Sequence, residues 1–425
     1  MPDFKEYFLQ HIWRYQLFDK NNLTTTDGKP LFIIKNGFLN TNSGPDFQYA
    51  HVKIDYIDWY GNIEIHIKSS DWFKHNHEND TNYNNVVLHV VWQHDLQTSH
   101  LPVLELKGKI SEHYIVNFKN LISTQNTILC KDYISKIPSI YINQMLDKVL
   151  LEKVESKSSN ILRVLQQYNS DWEQTFYHFL VRNFGFKVNS EEFEELACKL
   201  PYKIIQKHKD NLFQIESLLF GVAGLLTEEV ECEYYKKLKK EFDFLSSKYG
   251  LIIITKKVNF LRLRPPNFPT IRLAQLAAFL FNVDFLANIF LANISFQSLI
   301  SLFRQEVNEY WDHHYVFGKN SAFHKCTMGQ SSVELLVINT IIPIVITYKK
   351  AHGDDNLDET LNLLIQIQAE KNIILENWDS VGLKSKTSYD SQALIHLYEK
   401  YCVSKKCLDC TIGTQILKNA NCFQS

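Results

Sequence analysis

The segment that decides the fold is "NTNSGPDFQYAHVKIDYIDWYGNIEIHIKSSDW", residues 40–72. A Gly-Pro-Asp turn is followed by two runs in which apolar and polar residues alternate, which is typical of strands with one buried face. Residues two apart in a strand face the same way. One side of the second strand is therefore apolar, with Ile63, Ile65 and Ile67. Its other side carries three ionisable groups, Glu64, His66 and Lys68.

The spacing of apolar residues divides the chain into two parts. Short β-rich runs separated by turn residues fill the first 106 residues, whereas apolar residues recur at helical spacing from about residue 140 onward. We therefore predict an α+β protein. It has an N-terminal mixed α/β sheet domain, residues 1–125, and a larger, mainly helical domain, residues 126–425, that ends in a cysteine-containing segment.

Composition sets the limits for function. The chain has 425 residues, 45% of them apolar and 22% charged, with a net charge of −2, which is typical of a globular protein and argues against bulk binding to nucleic acid or membranes. The charged, amphipathic N-terminus does not resemble a secretory signal, and no run of 18 uncharged apolar residues predicts a membrane span. Eight cysteines without a signal peptide predict reduced thiols in a cytoplasm.

Two carboxylates and an imidazole are candidates for one site. Asp46 follows Gly44-Pro45 at the start of a predicted strand, and it meets Glu64 if the two strands are neighbours. His89, on the next predicted strand, is positioned to join them. Such a set suits Mg²⁺ or Mn²⁺, and the imidazole also tolerates Zn²⁺. The alternative is that strand carboxylates face solvent and that the histidine is an ordinary polar residue.

The loop "DWFKHNHEND" adds two further histidines, His75 and His77. They are either metal ligands or residues of a solvated surface turn. Eight of the sixteen histidines lie in the first 100 residues, which points to the sheet domain as the place of any metal chemistry.

Five motifs spread along the chain are similar to one bacterial family. They are "GPDFQYAHVKI", "GNIEIHIKSSDWFKHNHENDTNYNNVVLHVVWQHD", "RNFGFKVNSEEF", "IESLLFGVAGLL" and "RLRPPNFPTIRLAQLA". They resemble domain-of-unknown-function family 2851, typical of Bacteroidetes, over almost the whole chain. This resemblance brings no activity with it.

The N-terminal part also resembles the PD-(D/E)XK nuclease superfamily, with its restriction-endonuclease-like fold. By that resemblance Pro45-Asp46 matches the PD pair, Glu64 the second acid, and Glu6 the acid that some members carry on the first helix. The resemblance implies a divalent-metal-dependent nuclease. The catalytic-lysine position holds His66, with Lys68 two residues further on. Only about 16 residues separate the Glu64 strand from "NVVLHVVW", which is barely enough for a parallel crossover.

The C-terminal segment "KYCVSKKCLDCTIG" places three cysteines close together: Cys402, Cys407 and Cys410. This spacing is typical of zinc or iron–sulfur sites, with Cys422 or Cys130 as the fourth ligand. The alternative is a set of ordinary thiols on a terminal helix hairpin.

Basic residues concentrate between Tyr234 and Arg272. This segment contains ten lysines and arginines and only two acidic residues, Glu241 and Asp243. Three of the chain's seven arginines lie in "RLRPPNFPTIR": Arg262, Arg264 and Arg272. Because arginine binds phosphate bidentately, they are candidates for nucleic-acid contact. The alternative is a solvated lysine face with internally paired arginines.

Two functions of different classes follow from these patterns. The first is a metal-dependent nuclease or phosphodiesterase with Asp46, Glu64, His66 and Lys68 as its catalytic group. The second is a non-catalytic nucleic-acid-binding or scaffold protein with a degenerate nuclease-like sheet.

Overall fold

A computed structural model describes residues 4–97, 101–124, 126–284, 286–291 and 295–419. The chain forms two compact units. The sheet unit comprises the described parts of three segments, Met1–Asp147, Glu376–Lys384 and Ile395–Ser425. The helical unit comprises those of Lys148–Leu375 and Ser385–Leu394. The observed α+β class, with an N-terminal mixed sheet and a mainly helical remainder, confirms the predicted fold class.

The sheet unit contains six strands, β1 to β6. Their bounds are Leu31–Lys35, Phe38–Leu39, Phe47–Ile54, Ile57–Lys68, Val86–Gln93 and Val103–Glu105. The order across the sheet is β1-β3-β4-β5-β6, with β2 paired to β3. Strands β1, β3 and β4 are antiparallel neighbours, whereas β4, β5 and β6 run parallel.

The sequence accounts for the two pairing modes. β3 and β4 form a hairpin whose turn, Asp55-Tyr56, has positive φ at both residues. Val86–Val91 of β5 are buried on both faces, as is expected of a central parallel strand. The short connection between the parallel strands β4 and β5 contains one helix, α2 (Asp71–Lys74), and two 3-10 turns, His77–Asn79 and Thr81–Tyr83. It therefore folds back tightly over the end of β4.

The core of the sheet unit lies between the sheet and its helices. The helix α1, Glu6–Arg14, buries Phe8, Ile12 and Trp13 in the same apolar cluster as Ile63 and Ile65 of β4. Two further helices of this unit are α3, Glu112–Ser123, and α18, Thr411–Lys418. Phe118 of α3 and Leu417 of α18 belong to the same cluster. The C-terminal cysteine segment, which we predicted for the helical domain, is thus part of the sheet unit.

The helical unit is built from α5 to α15. Their bounds are Trp172–Phe184, Ser190–Lys199, Tyr202–Gln206, Leu212–Val222, Glu233–Tyr249, Pro269–Asn282, Ala287–Leu291, Phe296–Phe303, Gln330–Leu336, Ile342–Ala351 and Asp358–Gln366. Three helices contain a boundary between the units: α4, Ser139–Gln167, α16, Ile373–Ser380, and α17, Ser388–Leu397. A small hairpin pairs β7, His314–Val316, with β8, Lys319–Asn320. Short 3-10 turns lie at Ile134–Lys136, Pro265–Asn267 and Glu309–Asp312, and π-helical turns at Val337–Ile341 and Tyr398–Cys402.

One helical stretch, Gln330–Ala351, is apolar and long enough to cross a membrane by length and composition. Its most apolar window has a mean hydropathy of 1.7, and 67% of that window is buried inside the protein. Core helices of globular proteins meet the same criterion, so the stretch is weak evidence for a membrane span.

Candidate functional site

Asp46 and Glu64 are neighbours at the point where β3 begins. Strand β3 starts at Phe47, which pairs with Ile63, so the next residue of β4 is Glu64. The Glu64 Oε2 atom accepts a hydrogen bond from the backbone N–H of Asp46 at 3.0 Å. The structure therefore brings together the two acids that the sequence suggested.

The Asp46 carboxylate also completes the edge of β4. Beyond Ile63, none of the described residues pairs with β4 on the β3 side, so its N–H groups there need other acceptors. Asp46 Oδ2 accepts the N–H of Ile65 at 3.0 Å, and Asp46 Oδ1 accepts Gln10 Nε2 of α1 at 2.8 Å. The backbone of Ile67 is hydrogen-bonded to the Glu6 carboxylate. The helix α1 thus supports the acidic end of the site, and both Asp46 oxygens have a structural role.

His66 lies at the centre of a histidine cluster. It is 1% exposed, and its two ring nitrogens point in different directions. The Nδ1 atom is 2.8 Å from His89 Nε2, and the Nε2 atom is 3.1 Å from His75 Nδ1. If Nδ1–H of His66 donates to His89, the Nε2 lone pair of His66 is free to bind a metal ion. His89 therefore lies behind His66 and orients it, which is the usual outer contact of a ligating histidine.

His77 completes the cluster from the crossover connection. Its ring stacks on Tyr83 at a centroid distance of 3.8 Å, and Trp72 contacts it edge-on at 5.3 Å. Its Nε2 atom lies 3.4 Å from Glu64 Oε1, but the geometry is not that of a hydrogen bond. Within the described chain this buried nitrogen has no hydrogen-bond partner. Aromatic packing therefore holds the His77 Nε2 atom beside the Glu64 carboxylate, although this atom makes no hydrogen bond within the described chain.

The donor atoms of the cluster have the spacing of a metal site. The nitrogens of His66, His75 and His77 all lie within 4.8 Å of one another. Glu64 Oε1 is 3.5 Å from His66 Nε2 and 3.4 Å from His77 Nε2. Two ligands of one ion, each about 2.1 Å from it, lie about 3.0 to 3.4 Å apart. Three imidazoles and one carboxylate form a set that suits Zn²⁺, Mn²⁺ or Fe²⁺ better than Mg²⁺, which prefers oxygen.

The electrostatics keep the histidines in the form that binds metal. Burial, and after it the neighbouring histidines, lower the pKa of His66 to about 2 and that of His89 to about 3. Burial also lowers the pKa of His77. Burial raises the pKa of Asp46, and burial followed by the Asp46 charge raises that of Glu64. Neutral imidazoles around two crowded carboxyl groups favour a cation at this place.

Lys68, which we predicted as part of the catalytic group, forms an ion pair with Asp95. It shares the face of Glu64 and His66, but its ammonium lies 3.5 Å from the Asp95 carboxylate. No hydrogen bond or ion pair joins it to Asp46 or Glu64 in the part of the chain that the structure describes. His75 and His77, which the sequence offered only as separate loop residues, take its place beside His66. The sequence does contain a signal for them, the pair His75-x-His77. This pair lies in the connection between β4 and β5, which is so short that it must pass close to the end of β4.

The predicted basic contacts of the helical unit divide into two kinds. Arg272 is 6% exposed and donates to Gln275, Asn267 and Ser332, so its guanidinium is not available to phosphate. Burial accordingly lowers the pKa of Arg272 to about 10. Arg262 and Arg264 are exposed. The prediction of phosphate contact therefore extends to these two arginines only.

The lysine surplus of the same region is largely balanced. Four of its lysines form ion pairs: Lys236 with Glu231, Lys237 with Glu233, Lys239 with Asp243 and Lys256 with Glu191. Three of these four acids lie outside the segment in which we counted charges. The local excess of positive charge is consequently smaller than the sequence window indicates.

The predicted cysteine ligands lie elsewhere in the sheet unit. Cys402, Cys407 and Cys410 line one small cavity together with Cys130. Among the described residues, none of the four forms a disulfide bond. Cys422, the other candidate for a fourth ligand, lies outside the described residues.

Fold and site together define an α+β protein whose sheet unit brings three histidines and a buried carboxylate close together. The chain belongs to the family of proteins of unknown function DUF2851, whose match covers residues 6–373. No curated protein and no solved structure matches the chain.

Proposed function

We propose that this protein is a metal-dependent hydrolase that cleaves phosphodiester bonds in nucleic acid. The observation that carries the proposal is the cluster of His66, His75 and His77, whose ring nitrogens lie within 4.8 Å of one another. Glu64 Oε1 lies 3.5 Å from His66 Nε2 and 3.4 Å from His77 Nε2. A divalent ion bound there would lower the pKa of a water molecule and stabilise negative charge on a phosphate. The resemblance to PD-(D/E)XK nucleases supports the same chemistry.

The residues of the chain have distinct tasks in this proposal. His66 and Glu64 are buried, and His77 is half-buried; these three hold the site in place, whereas His75 is exposed and leaves one side open to substrate. His89 fixes the ring orientation of His66 through Nδ1. With both oxygens engaged by Gln10 and Ile65, Asp46 positions Glu64 through its own backbone N–H.

An aromatic groove on the same sheet supports nucleic acid as the substrate. Tyr60 and Asn62 lie on the face of β4 that also carries Glu64 and His66, since residues two apart share a face. Tyr49 and Tyr60 are 71% and 69% exposed and line a groove with Lys35 and His51. The Tyr60 ring stacks on His51 at 4.1 Å. Exposed aromatic rings beside a lysine are a platform on which unpaired bases stack.

A second function has its own support. The first acid of the nuclease pattern, Asp46, and the nearby Lys68 are both engaged in structural contacts, which favours a sheet without the cleavage step. The second proposal is therefore a non-catalytic metal- and nucleic-acid-binding protein on the same sheet. It shares the metal site and the aromatic groove with the first and lacks only the cleavage step.

One experiment separates the two functions. The full chain is stripped with chelator and incubated with labelled single-stranded DNA, double-stranded DNA and RNA in Mn²⁺, Zn²⁺, Fe²⁺ or Mg²⁺. The hydrolase predicts cleavage that depends on metal and is lost in Glu64→Gln and His77→Gln but kept in His352→Gln, an exposed histidine of the helical unit. Metal-dependent binding without cleavage supports the second function. If the protein neither binds nor cleaves nucleic acid, both functions are contradicted.

A further inference from the structure

Four cysteines that play no part in the histidine site meet in one place. Cys130, Cys402, Cys407 and Cys410 line a single cavity, whose walls also include Leu121, Leu129, Tyr401, Lys406 and Gly413. Cys130 interacts electrostatically with all three of the other thiols. It comes from the connection after α3, whereas the others come from the C-terminal segment. Four cysteines around one small cavity are far more than an apolar core needs.

The backbone of the C-terminal segment is shaped to present its cysteines. Cys402 ends a π-helical turn, and Lys405 adopts a left-handed conformation with φ 53° before Cys407. Cys410 is the N-cap residue of α18, where helix N–H groups favour a thiolate. A Cβ atom on Gly413 would lie 2.1 Å from the carbonyl oxygen of Cys407, so the cysteine loop packs directly against the first turn of α18.

The same segment is anchored to the rest of the sheet unit. The Asn117 side chain of α3 donates to the carbonyl oxygens of Leu417 and Asn419 at 3.2 Å each. Leu408 and Leu417 are buried in the core cluster. The C-terminal cysteine segment is therefore fixed to α3 and to the core of the sheet unit.

From this arrangement we propose that Cys130, Cys402, Cys407 and Cys410 bind an iron–sulfur cluster through four thiolates. Cys402, Cys407 and Cys410 follow the C-x4-C-x2-C spacing that occurs in iron–sulfur proteins. The proposal is independent of the histidine site, because none of its residues contributes to that site.

The spacing of the thiols favours a cluster over a single zinc ion. Four sulfurs on one tetrahedral zinc, each about 2.3 Å from it, lie about 3.8 Å apart. Among the described residues, no three of these cysteines bring their sulfur atoms within 4.8 Å of one another. A cluster spaces its thiolates more widely, because they bind different iron atoms. The positive charge of Lys405 acts electrostatically on Cys407 and favours its thiolate form.

The test uses the full chain purified without oxygen, with iron and acid-labile sulfide measured together with the visible absorption spectrum. We expect about two or about four iron atoms per chain, matched by sulfide. Cys130→Ser and Cys407→Ser should lose iron and sulfide together. Two variants should keep them as matched controls: Cys422→Ser and Cys198→Ser, the latter an exposed thiol of the helical unit.

Three results would overturn the proposal in whole or in part. A wild-type chain that holds no iron, even after reconstitution with Fe²⁺ and sulfide, removes the cluster. Zinc held in place of iron by these thiols removes the iron–sulfur assignment. Loss of iron in Cys422→Ser but not in Cys130→Ser removes Cys130 as the fourth ligand.

A second measurement needs no cysteine variant, so it tests the proposal even if the variants fail to fold. Wild-type protein is alkylated with iodoacetamide before and after removal of iron by a chelator, and each cysteine is followed by mass spectrometry. The four proposed ligands should be protected together and become reactive together, whereas Cys198 reacts in both states. Alkylation of all four at the rate of Cys198 in the protein as purified contradicts the proposal.

Discussion

The two units each bury a glutamate, and the surroundings of these two residues differ. In the helical unit, Glu216 accepts a hydrogen bond from Trp311 Nε1 at 3.1 Å on one oxygen and from the Tyr234 hydroxyl on the other. In the sheet unit, Glu64 Oε2 accepts the N–H of Asp46, but Glu64 Oε1 only faces two histidine nitrogens at 3.4 and 3.5 Å. Burial alone therefore does not distinguish a site from a structural contact.

What distinguishes the two clusters is how completely their polar atoms are paired. Glu216 is enclosed by aromatic residues that satisfy both of its oxygens, which is the pattern of a structural contact. Beside Glu64, His77 Nε2 and His89 Nδ1 are buried and have no hydrogen-bond partner in the described part of the chain. Unpaired buried donors and acceptors are costly, so their concentration around one carboxylate indicates a place for a ligand.

The largest expected effect is the loss of metal affinity on removal of a ligand. His66→Ala and His77→Gln should each weaken Mn²⁺ or Zn²⁺ binding more than about 100-fold, since changes to outer contacts alone cost about 10- to 100-fold. Equilibrium dialysis of the stripped protein measures this. Glu216→Gln serves as the control and should leave metal affinity unchanged. Equal loss in all three variants would contradict the distinction between the clusters.

Truncation of Glu216 should destabilise the protein. Glu216→Leu leaves the indole N–H of Trp311 and the hydroxyl of Tyr234 buried without acceptors, at a cost of about 2 to 4 kcal/mol in the free energy of unfolding. Urea denaturation followed by tryptophan fluorescence measures the change. A variant as stable as the wild type would show that these hydrogen bonds have no net structural value.

The pH dependence of stability should carry the signature of Glu216. Burial raises the pKa of this carboxyl to about 7, against the hydrogen bonds from Tyr234 and Trp311. Its protonated form is thus favoured in the folded state, so its contribution is full below pH 4.5 and disappears as the pH rises through 7. The contribution amounts to about 3 kcal/mol. Between pH 4.5 and 8, the unfolding free energy of the wild type should therefore fall by this amount relative to that of Glu216→Gln. If the two curves of unfolding free energy against pH are parallel, the assignment to Glu216 is wrong.

The smallest effect concerns Glu64 without metal. Burial and the Asp46 charge disfavour the ionised carboxylate, so Glu64→Gln should stabilise the metal-free protein at pH 8. The same change should remove the stabilisation that Mn²⁺ or Zn²⁺ gives to the wild type. Thermal unfolding with and without metal tests both points. A destabilised variant that still responds to metal would assign Glu64 a structural role like that of Glu216.

Much of the fold is predictable from local pattern. The alternation of residues 47–54 and 57–68 gives β3 and β4, and it places Glu64 and His66 on one face. The meeting of Asp46 with Glu64 follows from the hairpin between these strands. These features depend on residues close in sequence, where the strand period decides the direction of each side chain.

The rest depends on tertiary contacts that a local pattern does not contain. His75 and His77 join His66 only because the crossover returns over β4. Arg272 lies on a helix, Pro269–Asn282, that is buried on nearly all sides, so its guanidinium is paired internally. The C-terminal cysteines belong to the sheet unit because Leu408 and Leu417 complete its core.

The most direct test of the metal site is anomalous X-ray diffraction from crystals of the full chain grown with Mn²⁺ or Zn²⁺. The site proposed here predicts one anomalous peak about 2.0 to 2.3 Å from Nε2 of His66, Nδ1 of His75 and Nε2 of His77, with Glu64 Oε1 as a further ligand. Crystals of His77→Gln should lack the peak. Diffraction from metal-saturated wild-type crystals with no anomalous density among these four side chains would contradict the account.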